Sequence, residues 1–273
     1  MTPSLVVLTD FSALSNRTIT FAAGLAVPLG AQMVLLHVCH NGLLAPDEYN
    51  SRRTRQGKRK TIDALKLLAA DQPVVTEVDI SEDFLPDAVK EAVRRHHPLL
   101  LLLGRPGSAS SPLENVTSMA MDLLHHTSHP LLIVPTVGWE SEPPRRLLLA
   151  VDGRPFRLCP HQDVLRQLLH ATQGTLDVVH VTDNKQVRHS APTVLNTIHE
   201  NELVDHLAES QLHSIHEPNV MGAILQEADR QKADLLVVVA RRHSLLGSLF
   251  HRSVTAQLIQ ESPIPVLVLP AED

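Results

Sequence analysis

A glycine, two residues and a second glycine occur at Gly104-Arg105-Pro106-Gly107, and nine residues further on stand two hydroxyl side chains, Thr117 and Ser118. Residues of these types at this spacing can hold phosphate. Glycine has no Cβ, so backbone N–H groups can approach phosphate oxygens closely. The start of a helix adds unpaired N–H groups and the favourable end of its dipole for an anion. Asp10 offers a carboxylate for a ribose hydroxyl or for a metal ion carried by the phosphates. Thr117 fits less well, because a β-branched residue resists both close approach and positive φ.

Other chemistry is less well supplied. Of the seventeen histidines, His125 and His129 are four apart near a helix end with His126 beside them, but no carboxylate or cysteine completes a metal set. Histidines near a helix C-terminus are favoured by the dipole in any case. His96-His97 and the pair His213 and His216 read as loop and edge residues, and His37 and His180 as packed or backbone-bonded groups at strand ends. The two cysteines, Cys39 and Cys159, form neither a disulfide framework nor a zinc motif and suit a reducing compartment. No GxSxG elbow, GxxxxGK[ST] loop or Cys–His pairing is present.

The elements that must position these residues occur twice. Leu5–Asp10 finds its partner in Leu147–Asp152, and Met33–Val38 in Leu176–Val181. Pro98–Leu103 matches Ala233–Val239, and Ser118 with His129–Pro135 matches Ser253 with Ile264–Pro270. Each apolar run is continuous, the pattern of a strand covered on both faces in a parallel sheet. Helical periodicity fills the gaps at Asn16–Leu29, Thr61–Ala70 and Leu85–Arg94, then at Gln162–Thr172, Val194–Leu207 and Val220–Gln231. The alternation predicts two tandem, open, doubly wound five-stranded parallel α/β sheets. Pro143-Pro144 and their polar neighbours read as a linker, giving domains at 1–138 and 146–273 joined by 139–145. With strand order 3-2-1-4-5, the ligand crevice lies between strands one and four, which end at Asp10 and Gly104.

Here the chain resembles the universal stress protein family, over nearly its full length and in both halves. ATP-binding members carry a glycine, two residues, a glycine, nine residues and then Gly-Ser or Gly-Thr after strand four. They also have an Asp ending strand one and a His-Val-type pair ending strand two. Gly104, Gly107 and Ser118 match, Thr117 stands in place of the third glycine, and Asp10, His37 and Val38 complete the set. The resemblance implies an adenine nucleotide alpha hydrolase-like fold, and ATP or a related adenine nucleotide with Mg²⁺ held at Asp10, Val38, Gly104, Gly107, Thr117 and Ser118. It implies a non-catalytic stress-response binding or signalling module. A slow ATP hydrolase of the same fold and a scaffold with both pockets degenerate stay open as alternatives. The resemblance also implies fifth strands paired within the chain, reproducing a two-domain dimer, with a homodimer of chains left open.

The second half departs from that pattern. Val239, Arg242, Arg252 and Ser253 occupy its aligned positions, so the glycines are gone while Asp152 remains. A pocket closed by side chains is expected there, with Arg241, Arg242, His243 and Arg252 as the alternative, an anion site held by charge. The net charge of −6, with one Trp and one Tyr, argues against nucleic-acid partners. The basic run Arg52–Lys60 reads as a solvated helix face. The opening residues lack a basic segment and no apolar run spans a bilayer, so a cytoplasmic protein without a membrane partner is expected.

Overall fold

The computed structural model describes residues 2–9, 13–39, 54–105, 113–136, 143–160, 162–182, 191–241 and 253–272. In the first half β1 (Ser4–Leu8), α1 (Ala13–Leu29), β2 (Gln32–Val38), α2 (Thr54–Ala70), β3 (Thr76–Ser81), α3 (Leu85–His96), β4 (Leu100–Arg105), α4 (Leu113–Thr127) and β5 (Leu131–Pro135) alternate along the chain. The second half runs β6 (Arg146–Val151), β7 (Arg157–Leu158), α5 (Val164–Thr172), β8 (Thr175–Thr182), α6 (Ala191–Glu200), a 3-10 turn at Glu209–Gln211, β9 (Leu212–His216), α7 (Val220–Arg230), β10 (Leu235–Arg241), α8 (Val254–Glu261) and β11 (Val266–Glu272).

Within each half the strands are parallel in the order 3-2-1-4-5, which is β3-β2-β1-β4-β5 and β9-β8-β6-β10-β11. The registers repeat as the sequence does: Leu5 pairs with Leu100 and Leu147 with Leu235, while Gly104 pairs with Val134 and Val239 with Leu269. The fifth strands meet antiparallel, with Ile133 opposite Val266 and Leu132 opposite Leu267, so both halves share one sheet. That pairing removes two apolar edges that would otherwise be exposed.

Alternation along the buried strands sends side chains to two cores. Leu5, Val7, Leu147 and Leu149 enter one, and Val6, Leu8, Leu148 and Ala150 enter the other. Both cores run across the junction of the halves, beneath α1 and α5 on one face and α4 and α8 on the other. Arg105 adds a polar clasp. It leaves the end of β4 and donates to the carbonyl oxygens of Ile259 (2.8 Å) and Ser262 (2.6 Å), at the C-terminal end of α8 in the other half.

Several elements differ from the periodicity. α2 starts at Thr54 rather than Thr61; Arg59 and Lys60 on it are exposed, and Arg52 and Arg53 lie outside the described residues. α4 starts at Leu113, one turn before Thr117, because Leu113, Val116, Ala120 and Leu123 already follow the helical spacing. α6 ends at Glu200 and does not reach Leu207. Asn201 stops it: its amide donates to the carbonyls of Phe156 and Thr197 and accepts from Leu158 N–H. Glu202 then turns to φ +50°. The same amide braces β7, a two-residue strand antiparallel to the end of β11 that the sequence does not announce.

Candidate functional site

The crevice of each half lies at the carboxyl ends of its first and fourth strands. In the first half Val7 pairs with Leu102, so the chain leaving β1 at Thr9 runs beside Gly104 at the end of β4. Thr9 is buried, its N–H bonds to the Leu36 carbonyl, and its own carbonyl accepts from His37 Nδ1 at 2.9 Å. His37 therefore makes the backbone bond expected of it, and Val38 beside it is buried at the end of β2. Asp10 and Gly107 lie outside the described residues.

Thr117 and Ser118 sit on the second turn of α4, with Thr117 half-buried and Ser118 exposed. They do not stand at the helix start, so the backbone N–H of Thr117 falls beyond the four that a helix N-terminus leaves unpaired. Of the residues expected to bind, the structure brings Gly104 and Val38 to the carboxyl edge of the sheet and places Thr117 and Ser118 on the helix that follows β4.

In the second half the crevice lies at the ends of β6 and β10, beside the start of α8. Val238 pairs with Ala150, and Val239 stands where the first half has Gly104. Gly153, at φ +79°, turns the chain after Asp152, and Asp152 Oδ1 accepts from Arg154 N–H at 3.0 Å. Arg241 reaches across to the same oxygen at 3.2 Å and donates to the carbonyls of Arg154 and Pro155, both at 3.0 Å. The guanidinium is thus committed to a carboxylate and two carbonyls, and is not held out for an anion. Arg242, His243 and Arg252 lie outside the described residues.

The described residues here border a cavity of about 460 Å³, with Val151, Val181, Ile224, Val239 and Leu258 as well as Asp152 and Arg241 on its walls. Phe156, Val220 and Thr255 also line it, and no local pattern in the sequence marks them. Ser253 at its edge is legible as the surviving serine of the motif.

Several of the remaining titratable residues take structural partners. His126 Nδ1 bonds to the Asp122 carbonyl and His129 Nε2 to the Pro98 carbonyl. His96 Nε2 lies 2.9 Å from Asp79 Oδ2, which also takes Arg95. His180 is buried in β8 between Val151 and Ser214. On α7 the hydrogen bonds from Arg230 hold the Glu227 carboxyl below its ordinary value, against burial, which raises it. Among the described residues no three His, Cys, Asp or Glu side chains are grouped to hold a metal ion. No described helix is long and apolar enough to cross a membrane.

A family model described as the universal stress protein family matches residues 1–135 and again residues 144–270. The chain belongs to the universal stress protein family. It carries the family's domain twice, and the adenine nucleotide alpha hydrolase-like fold is that of the paired sheets above. Among solved structures, a universal stress protein from Archaeoglobus fulgidus DSM 4304 superposes with a TM-score of 0.70 at 17% identity, covering 99% of this chain and 97% of that one. A functionally unknown protein from Pseudomonas aeruginosa PAO1 gives 0.56 at 15% identity, over 99% and 93% of the two chains. The cytoplasmic domain of a prokaryotic cation chloride cotransporter gives 0.54 at 11%, over 98% and 95%. At these identities the likeness is one of fold. Comparison with curated protein sequences gave no significant match.

Proposed function

We infer that this tandem universal stress protein is a stress-response binding and signalling module without catalytic chemistry of its own. Its first domain (1–138) takes ATP or a related adenine nucleotide with Mg²⁺, and its second (146–273) does not. The observation that carries this reading is the asymmetry at the ends of the fourth strands. Gly104 lies next to the end of β4, whereas Val239 takes the matching place in β10, two residues before the Arg241 that pairs with Asp152.

A glycine at that strand end lets backbone reach phosphate, and a valine fills the same space with side chain. Gly104 and Gly107 would cradle the phosphates, Ser118 would donate its hydroxyl, and Val38 and Asp10 would face the nucleoside. When bound, Mg²⁺ would supply charge neutralisation on the phosphate oxygens. A slow ATP hydrolase would need a positioned base. His37 Nδ1 donates to the Thr9 carbonyl, a bond that fixes the ring at the end of β2.

Because β5 and β11 already pair within one chain, a homodimer would have to use another surface. The composition and the fold both suit a cytoplasmic setting.

Calorimetric titration of Mg²⁺–ATP into nucleotide-free protein, beside Gly107→Val, tests the reading. Binding near one ATP per chain, abolished in the variant, is the expected result. No heat and no thermal stabilisation at millimolar ATP would overturn it and leave a scaffold.

A further inference from the structure

The cavity of the second domain combines hydrocarbon walls with an unusual helix start. Ala150, Val151, Val181, Ile224, Val239 and Leu258 supply the walls. Its volume of about 460 Å³ falls within the range of roughly 300–1,000 Å³ typical of small-molecule sites. Thr255, in the first turn of α8, lines it and is only 9% exposed.

Threonines elsewhere in this chain return their hydroxyls to the carbonyl four residues back, as Thr20, Thr127, Thr172 and Thr197 do. Among the described residues the Thr255 hydroxyl has no partner, and the residue, 9% exposed, borders the cavity. A hydroxyl that borders a cavity without a protein partner is available to a ligand or water there. Ser253, at the N-cap of α8, makes no side-chain cap bond either, so the first-turn N–H groups are not satisfied by the cap.

We propose that this cavity binds a small ligand with an apolar body and a single carboxylate head. The carboxylate accepts from the Thr255 hydroxyl and the first-turn N–H groups of α8, and the body lies against Ile224, Val239 and Leu258. One negative charge matches the partial positive charge of a helix N-terminus, roughly half an elementary charge. A triphosphate is poorly matched. Arg241 is already neutralised by Asp152, and Val239 removes the close backbone approach that phosphates use. The site is independent of the nucleotide site inferred for the first domain, and the two fail separately.

The test is a methyl NMR titration of the full chain, labelled at Ile, Leu and Val, with octanoate, 1-octanol and Mg²⁺–ATP as probes. Saturable shifts at Ile224, Val239 and Leu258 with octanoate are expected, with octanol at least about tenfold weaker. Thr255→Val should weaken octanoate about tenfold, the effect of one hydrogen bond to a charged group, and leave octanol unchanged. Thr255→Ser should keep the affinity, and the first-domain methyls report whether each variant folds. No shifts at millimolar octanoate, octanol binding as tightly as octanoate, indifference to Thr255→Val, or displacement of octanoate from these methyls by ATP would each overturn the proposal.

Discussion

Replacing Arg105 should loosen the junction between the domains, and the structure sets the size of the effect. The guanidinium donates to Ile259 and Ser262 at 2.8 and 2.6 Å, and Ser262 has no exposed surface. Both carbonyls belong to the end of α8, where the helix cannot pair them itself; the Leu258 carbonyl is taken instead by Ser262 N–H. Hydrogen bonds to a charged donor contribute about 1.5–3 kcal/mol each. Against them stands the cost of burying the guanidinium, which pushes the Arg105 pKa down. Arg105→Met removes that cost but leaves two carbonyls unpaired, and the balance is a loss of about 2–3 kcal/mol. Arg105→Lys keeps a charge without the two-pronged fork and should recover about half. Urea unfolding of the full chain reads the difference as a shift of midpoint at unchanged slope. A loss below about 0.5 kcal/mol for Met, or a Lys variant less stable than the Met variant, would refute the clasp as a contributor.

Two further outcomes follow from side chains that hold local structure. Asn201→Ala deprives Leu158 N–H and the Phe156 carbonyl of their partners and should cost about 1–3 kcal/mol. Hydrogen exchange at the Leu158 amide should accelerate, and an unchanged rate would mean the amide is not what braces β7. Glu227 contributes to the pH dependence, since Arg230 holds its folded pKa below the ordinary 4.5. A carboxyl depressed on folding contributes stability that is present above pH 4.5 and lost as pH falls through its folded value. Glu227→Gln should therefore flatten the decline of stability as pH falls below 4.5, measured as urea midpoints, and a parallel decline would count against the assignment.

Much of this protein is written locally. Continuous apolar runs such as Leu99–Leu103 and Val266–Leu269 mark strands covered on both faces, and their recurrence in the same order marks the duplication. Periodicity survives into the fold because each buried position must face a core, whatever the partner across it. The same logic puts Gly104 at a strand end and Val239 at its counterpart, so the asymmetry of the two crevices is legible in the amino-acid sequence alone. Helix limits are less legible. α4 starts a turn before Thr117, and α6 stops at Glu200 because the Asn201 amide finds carbonyls on Phe156 and Thr197.

Relations between residues far apart in the chain come from the folded arrangement and are not written locally. Arg105 looks like a loop residue inside a glycine motif, yet it ends on Ile259 and Ser262 in the other domain. Arg241 looks like an anion ligand, yet Asp152 and the turn after it claim its donors. Thr255 looks like an ordinary helical threonine, and only the structure places it on the wall of a cavity. The reason is physical. Apolar burial follows local pattern because it is non-directional, whereas a polar group is defined by the single partner its geometry reaches.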